Sequence, residues 1–166
     1  MKLKGTPLTA VLLLLAAFAV AALAGLNFKA MWAEDDFVPA QGFEKKMLSA
    51  WFEGLAGTPA DTPVYIQKGT EPGGVVLILG GTHPTEPASM VTATLFLERA
   101  QVTKGSLIVI PQANLLGFTH NSPQEAHPQS ISFPTADGGK RTFRFGSRLT
   151  NTIYEWPSPD IYIHPA

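Results

Sequence analysis

Long apolar stretches alternate with short polar interruptions along the chain, and the first stretch differs from the rest. Residues 5–28 carry no charged side chain and include the run VLLLLAAFAVAALAGL. A run of about 20 apolar residues is long enough to cross a bilayer as a helix. Lys2 and Lys4 precede the run, and three acidic residues, 34–36, follow it. This charge distribution predicts that the body of the protein lies outside the cytoplasm.

Two interpretations of this N-terminal segment stay open. Ala22-Leu23-Ala24 before Gly25 has the small-x-small form of a signal-peptide cleavage site. The length of the run equally suits a retained membrane anchor. Residues 1–29 are therefore predicted to be a signal peptide or a membrane anchor. The body is predicted to be periplasmic, extracellular or anchored to the membrane from outside the cytoplasm. A buried core helix fits less well, because the charged flanks are typical of export.

Residues 30–41 are predicted to be a linker, because they mix acidic residues with Pro39. Residues 42–166 then form the body. The apolar positions at its start recur every four residues, which predicts an amphipathic helix that ends before Pro59. These positions are Phe43, Met47, Trp51 and Leu55.

A βαβ unit is predicted in the middle of the chain. Short strands are expected at 64–66 and 75–79, and the second is apolar throughout, as in a strand buried on both faces. A helix follows, capped by Thr85 and with Pro87 in its first turn. A further apolar strand, 106–111, completes the unit and predicts an α/β sheet with a right-handed crossover. The apolar stripe of the helix is expected to contain Val91, Leu95, Phe96 and Leu97.

Beyond Pro111 the chain becomes polar and rich in proline, which predicts a surface segment. A hairpin is expected around Asp137-Gly138-Gly139. A short strand is expected at 161–163, close to the last residue of the sequence.

Composition narrows the possible partners. The 12 lysine and arginine residues are balanced by 13 acidic residues, whereas a nucleic-acid-binding face needs a basic surplus. The chain has no cysteine, so it can form neither disulfides nor thiolate metal sites. Any metal must therefore bind through histidine and carboxylate.

The candidate chemistry lies where the predicted strand 75–79 ends in two glycines. His83 follows that pair, and Glu86 opens the next helix. Ligands of open α/β sheets bind beyond the carboxyl ends of the strands, and the bend lets both side chains converge there. Imidazole nitrogen and carboxylate oxygen are normal zinc ligands. In the alternative interpretation, Glu86 complements the helix dipole and His83 hydrogen-bonds a turn.

These residues also carry a family resemblance. LILGGTHPTEPASMVTATLFLERA followed by GSLIVIPQANLLGF resembles the start of the succinylglutamate desuccinylase/aspartoacylase family of zinc carboxypeptidase-like enzymes, over residues 62–120. In that family a strand leads into Gly-x-His-x-x-Glu, whose His and Glu bind zinc. The resemblance implies that His83 and Glu86 are zinc ligands and that Pro111 to Asn114 match a second family segment. It also implies a zinc-carboxypeptidase-like mixed sheet flanked by helices.

The function implied by the resemblance is Zn2+-dependent hydrolysis of an amide or ester bond in a small N-acyl amino acid or peptide. The family also has a third ligand in an Asp-Leu-His segment, an Asn-Arg pair for the substrate carboxylate and a later catalytic Glu. None of these motifs is present, so residues 42–166 are predicted to be the N-terminal part of an incomplete catalytic domain. The alternative is a non-catalytic exported or membrane-anchored α/β module. A nucleophilic hydrolase is disfavoured because there is no Gly-x-Ser-x-Gly elbow.

Weaker candidates come from the later part of the chain. Three histidines are possible third ligands, although two of them lie in a polar loop: His120, His127 and His164. Three arginines are possible contacts for a substrate carboxylate, although a solvated hairpin face is the simpler expectation: Arg141, Arg144 and Arg148.

Overall fold

The computed structural model describes residues 6–30, 33–119 and 130–147. These ranges contain three α-helices, six strands and two short 3₁₀ turns between β1 and β2. The elements are α1 (Pro7–Ala30), β1 (Phe43–Met47), the turns Leu48–Ala50 and Glu53–Leu55, β2 (Pro63–Lys68), β3 (Glu71–Leu79), α2 (Pro87–Arg99), β4 (Lys104–Ile110), α3 (Leu115–Thr119), β5 (Ser130–Pro134) and β6 (Lys140–Arg144).

A four-stranded mixed sheet organises the body, with strand order β1-β2-β4-β3. β1 and β4 both pair antiparallel with β2, whereas β3 pairs parallel with β4. Helix α2 connects β3 to β4, which is the predicted βαβ unit. β5 and β6 form a separate hairpin around the predicted turn. The predicted α/β class, a mixed sheet with helices and a preceding apolar helix, is confirmed.

The helix predicted from residue 43 onward is wrong, because Phe43–Met47 is strand β1. It pairs with β2 from Phe43 opposite Gln67 to Met47 opposite Pro63. A spacing of four residues is a multiple of the two-residue strand period as well as close to one helical turn. The apolar spacing therefore could not distinguish the two structures, and backbone pairing with β2 decided between them.

Strand β3 was expected to be buried on both faces, and this expectation is also wrong. Four of its apolar side chains are 51–66% exposed: Val75, Val76, Leu77 and Leu79. Among the described strands, β3 pairs only with β4, so it lies at the edge of the sheet. Its continuous apolar sequence reflects a surface that the described residues leave largely uncovered.

The core lies between α2 and one face of the sheet. Tyr65 from β2 and two residues of β4, Leu107 and Val109, pack against Ala93 and Leu97 of α2. The helix buries Met90, Ala93, Thr94 and Leu97, which follow the i, i+3, i+4, i+7 spacing of one helical face. The predicted stripe is therefore correct at Leu97 and at the partly buried Val91, but wrong at Leu95 and Phe96, which are each 48% exposed.

The segment after Pro111 is more integrated than a surface loop. Residues 111–114 form a turn that leads into α3, and Phe118 of this helix is 2% exposed. Phe118 packs with Met90 of α2 and Phe143 of β6 in a second apolar cluster. The strand predicted at 161–163 lies outside the described residues.

The segment before β1, predicted as a linker, is held against the body. The backbone N–H of Asp35 donates to the Thr142 carbonyl at 2.8 Å, and the N–H of Thr142 donates to the Asp35 carboxylate at 2.6 Å. The Phe37 ring stacks on Phe143 with centroids 6.2 Å apart. The segment is therefore hydrogen-bonded to β6 a few residues after the end of α1.

Helix α1 has no buried residue and is long and apolar enough to cross a membrane. A signal sequence near an N-terminus has the same length and composition. The apolar helix expected from the sequence is thus present, and both interpretations of its role stay open.

Candidate metal centre

The turn after β3 gives the candidate site its shape. The Gly80 N–H donates to the Ile110 carbonyl at 2.8 Å, which continues the pairing of β3 with β4. Gly81 then adopts a φ of +63°, a left-handed conformation that glycine adopts without strain. A Cβ at Gly81 would lie 2.7 Å from the Phe118 ring. The sharp turn therefore requires glycine at this position, both for conformation and for space.

His83 and Glu86 meet just beyond this turn. The Glu86 N–H donates to the His83 carbonyl at 2.9 Å, so the backbone folds back between them. The His83 Nδ1 and Glu86 Oε2 atoms lie 3.4 Å apart. Their side chains are 48% and 55% exposed, respectively. The two groups are therefore adjacent, and solvent reaches both.

The helix start differs from the prediction by one residue. Glu86, rather than Thr85, is the N-cap of α2, and no side chain caps the helix. Pro87 lies at the start of the helix as expected. Because Pro87 has no N–H to satisfy, its position suits the first turn. The Glu86 carboxylate lies at the end of the helix that carries positive partial charge.

The distance between the two side chains fits two chemical roles. Ligands that bind a tetrahedral zinc at about 2.0–2.2 Å lie about 3.3–3.6 Å from each other. The observed 3.4 Å falls in this range. The same distance also suits a hydrogen bond or ion pair between imidazole and carboxylate. The geometry therefore fits a shared cation as well as a direct contact.

Asn114 supports the loop that carries His83. Its backbone N–H donates to the Gly81 carbonyl at 3.2 Å, and its Nδ2 donates to the Thr82 carbonyl at 3.3 Å. Its Oδ1 accepts a hydrogen bond from the Gly117 N–H at 3.1 Å. Asn114 thus joins the turn after β4 to the turn after β3. The family resemblance matched this residue but gave it no structural role.

Ser89 is a second supporting residue, and no sequence pattern indicates it. Its Oγ accepts a hydrogen bond from the Gly81 N–H at 3.1 Å and lies 3.3 Å from the Glu86 carbonyl, to which it donates. From the first turn of α2, Ser89 therefore holds both ends of the His83 loop. A single serine in a helix has no distinctive pattern, so only the structure reveals this role.

The described residues supply two candidate ligands. Residues 6–30, 33–119 and 130–147 contain no group of three or more His, Asp or Glu side chains that could hold a metal. The three histidines considered as third ligands, His120, His127 and His164, lie outside the described residues.

Two of the candidate arginines serve the fold. Arg141 Nη1 donates to both Glu98 carboxylate oxygens at 2.8 and 2.7 Å. Arg144 Nε lies 3.0 Å from Glu34 Oε1. All four side chains are at most 27% exposed. The expected solvated face is therefore wrong for these arginines, because acidic partners hold them within the body; contact with a substrate carboxylate stays a prediction. Arg148 lies outside the described residues.

Fold and site together define a mixed α/β protein with a candidate two-ligand metal centre at the end of the sheet where β3 and β4 have their carboxyl ends. No protein-family model matches the chain, and a search of curated proteins finds no match. Among solved structures, the chain is similar to a succinylglutamatedesuccinylase/aspartoacylase from Rhodobacter sphaeroides. The match has a TM-score of 0.37 and 23% identity, and it covers 55% of this chain and 29% of that one. The chain thus matches less than a third of that protein's length.

Proposed function

We propose that His83 and Glu86 are two ligands of a Zn2+-dependent hydrolase that cleaves an amide or ester bond, as a deacylase or carboxypeptidase does. The observation that carries the proposal is the 3.4 Å separation of His83 Nδ1 and Glu86 Oε2. These atoms lie beyond the carboxyl end of β3, which is where open α/β sheets bind ligands. The proposed substrate is a small N-acyl amino acid or peptide, outside the cytoplasm.

The donor set suits zinc, because imidazole nitrogen and carboxylate oxygen both bind it and the chain has no cysteine to compete. A bound zinc would polarise the substrate carbonyl and lower the pKa of a bound water toward about 7. His83 would bind as the neutral imidazole and Glu86 as the carboxylate. Ser89 and Asn114 would keep the two ligands in place by fixing the backbone of the loop between them.

A second candidate function is a non-catalytic exported or membrane-anchored α/β module. One observation favours it: the described residues bring together two metal-binding side chains, whereas a catalytic zinc takes about three protein ligands. Under this proposal His83 and Glu86 form an ion pair at the start of α2. Metal titration separates the two functions.

The test is a zinc titration of the purified chain in detergent, by competition with a chromogenic chelator. We expect one weak saturable site in this chain. The His83→Ala and Glu86→Gln variants should each lower its affinity by at least about 10-fold, because loss of a ligand costs no less than loss of a group that supports one. Glu44→Gln is a matched control, because Glu44 is also an exposed glutamate (65%) but lies on β1. Unchanged zinc binding in the His83 and Glu86 variants would refute the assignment and favour the module.

Activity is tested separately with a panel of N-acyl amino acids and short peptides in the presence of zinc. Hydrolysis that disappears in the His83→Ala variant would support the catalytic proposal. Zinc binding without hydrolysis of any panel member would leave the ligand assignment standing and count against catalysis by this chain.

A further inference from the structure

The loop between β1 and β2 presents two adjacent aromatic side chains to solvent. Trp51 is 56% exposed and Phe52 is 64% exposed. The loop is not loose, because the Ser49 N–H and Oγ donate to the two oxygens of Asp61 at 2.8 and 2.7 Å. Large apolar rings held outward by an ordered loop indicate a surface that meets an apolar or interfacial partner.

This loop lies at the same end of the sheet as Glu34. Gln112 Nε2 donates to Glu34 Oε2 at 3.0 Å, and the Gln112 carbonyl accepts a hydrogen bond from Thr62 Oγ1 at 2.7 Å. The Thr62 carbonyl accepts from the Leu48 N–H at 2.9 Å, and the Leu48 carbonyl in turn accepts from the Trp51 N–H at 3.0 Å. A continuous chain of hydrogen bonds therefore joins Glu34 to the aromatic loop.

Glu34 also lies close to the end of α1 along the chain. The helix ends at Ala30, so three residues separate it from Glu34. Because an extended chain spans at most about 3.3–3.6 Å per residue, Glu34 lies within about 15 Å of the helix end. The 24 residues of α1 measure about 36 Å at 1.5 Å per residue, enough to cross a hydrocarbon core of about 30 Å. If α1 spans a bilayer, this end of the sheet faces that bilayer.

We propose that Trp51 and Phe52 insert into the headgroup region of the bilayer that α1 crosses. This insertion would dock on the membrane the end of the sheet where β3 and β4 have their carboxyl ends. Tryptophan is enriched at this depth, because its ring is apolar and its N–H remains able to hydrogen-bond. Glu53 follows the pair and disfavours a strongly anionic surface, so the proposed partner is a zwitterionic lipid surface. The proposal requires a retained α1 and is independent of zinc binding.

The test uses the full chain in phosphatidylcholine vesicles that contain lipids brominated near the glycerol end of the acyl chain. The protein has three tryptophans. Trp32→Phe and Trp156→Phe leave Trp51 as the sole tryptophan and do not change the loop itself. Bromine quenches a tryptophan only at short range, and we therefore expect strong quenching of Trp51.

A matched control places the sole tryptophan at the other end of the sheet. Phe96→Trp, with all three native tryptophans replaced by Phe, is suitable because Phe96 is also exposed (48%). It lies in the second half of α2, and α2 starts beside the carboxyl end of β3. We expect quenching of Trp51 to exceed quenching in the Phe96→Trp control by at least about twofold, as interfacial depth predicts.

Equal quenching at the two positions would overturn the proposal, because it would show no preferred face. Absence of quenching at Trp51 would also overturn it, including the case in which the loop instead binds a second copy of the chain. Purification of a product that begins at Gly25 would remove the anchor and overturn it as well. The His83→Ala variant should keep the quenching difference, so failure of this proposal is distinguishable from failure of the zinc proposal.

Discussion

At the scale of single residues, Gly81 determines the direction of the backbone that carries His83. Its φ of +63° costs an L-residue about 1–2 kcal/mol. A Cβ would also lie 2.7 Å from the Phe118 ring and 2.9 Å from the Pro111 carbonyl oxygen. The candidate site therefore depends on a position where any side chain meets both strain and a steric clash.

We predict that Gly81→Ala lowers the free energy of unfolding by about 1–3 kcal/mol and weakens zinc binding. Urea unfolding and zinc titration measure the two effects. Gly74→Ala is the control, because a Cβ there meets nothing within 4 Å; it should change stability by about 0.5 kcal/mol or less. Equal effects of the two substitutions would show that the turn at Gly81 is under no special steric constraint.

The ion pair between Arg141 and Glu98 is the second feature at this scale. Arg141 Nη1 donates to both Glu98 carboxylate oxygens, and the two side chains are 27% and 16% exposed. We predict that Arg141→Ala lowers the free energy of unfolding by about 1.5–3 kcal/mol, because it leaves the largely buried Glu98 carboxylate without its cationic partner and with the Val38 N–H as a hydrogen-bond donor. Lys46→Ala is the control, because the pair that Lys46 forms with Glu44 is exposed; its effect should be about 0.5 kcal/mol or less. Urea unfolding of both variants that gave equal losses would contradict this view.

At the scale of secondary-structure elements, β3 combines an apolar sequence with an edge position. Its partner among the described strands is β4, and Leu77 at its centre is 55% exposed. An apolar edge strand offers unpaired backbone groups to other chains and promotes aggregation. The strand that leads to the candidate site is therefore also the strand most prone to edge-to-edge pairing with another chain.

We predict that Leu77→Lys reduces self-association of the purified chain, measured by light scattering against protein concentration. A lysine on an edge strand opposes strand pairing by charge and solvation. Leu95→Lys is the control, because Leu95 is similarly exposed (48%) but lies on a helix without free backbone edges. An equal reduction by both variants would indicate general hydrophobic attraction instead of strand pairing.

The elements differ in how far the sequence could predict them. The β3-α2-β4 unit was predictable, because two apolar runs and a glycine turn are local signals. β1 was not, because its four-residue spacing fits helix and strand alike and its pairing with distant β2 decides the outcome. The buried face of α2 was only partly predictable. Residues 95–97 are all apolar, so the sequence does not show which of them faces the core, and in the structure Leu97 packs against the sheet.

The same distinction applies to the candidate site. His83 and Glu86 are three residues apart, so a local turn is enough to bring them together, and the sequence suggests it. Asn114 reaches that turn from the end of β4, and Ser89 reaches it from inside α2. These hydrogen bonds depend on the parallel pairing of β3 with β4. The pattern of a single sequence does not show which residues of the two strands lie opposite each other.

At the scale of the whole molecule, the hydrogen bonds of residues 34–36 connect the apolar helix to the body. Glu34 contacts Gln112 and Arg144, and Asp35 pairs with Thr142. Three residues between Ala30 and Glu34 leave little freedom between a membrane-spanning α1 and the sheet. A retained helix would therefore fix the height of the candidate site above the membrane, whereas a cleaved signal would release the body.

We predict retention. Helix α1 is 24 residues long, whereas the core of a typical signal peptide has 7–15 apolar residues, and α1 continues for six residues beyond the possible cleavage site at Ala24. The protein expressed in a secreting host should keep its original N-terminus and stay with the membrane pellet after alkaline carbonate washing. Four leucines at 12–15 supply the control: their replacement by alanine shortens the strongly apolar span and should release protein from the pellet. A mature N-terminus at Gly25 with the body in the soluble fraction would contradict retention, because cleavage there would remove most of α1 from the protein.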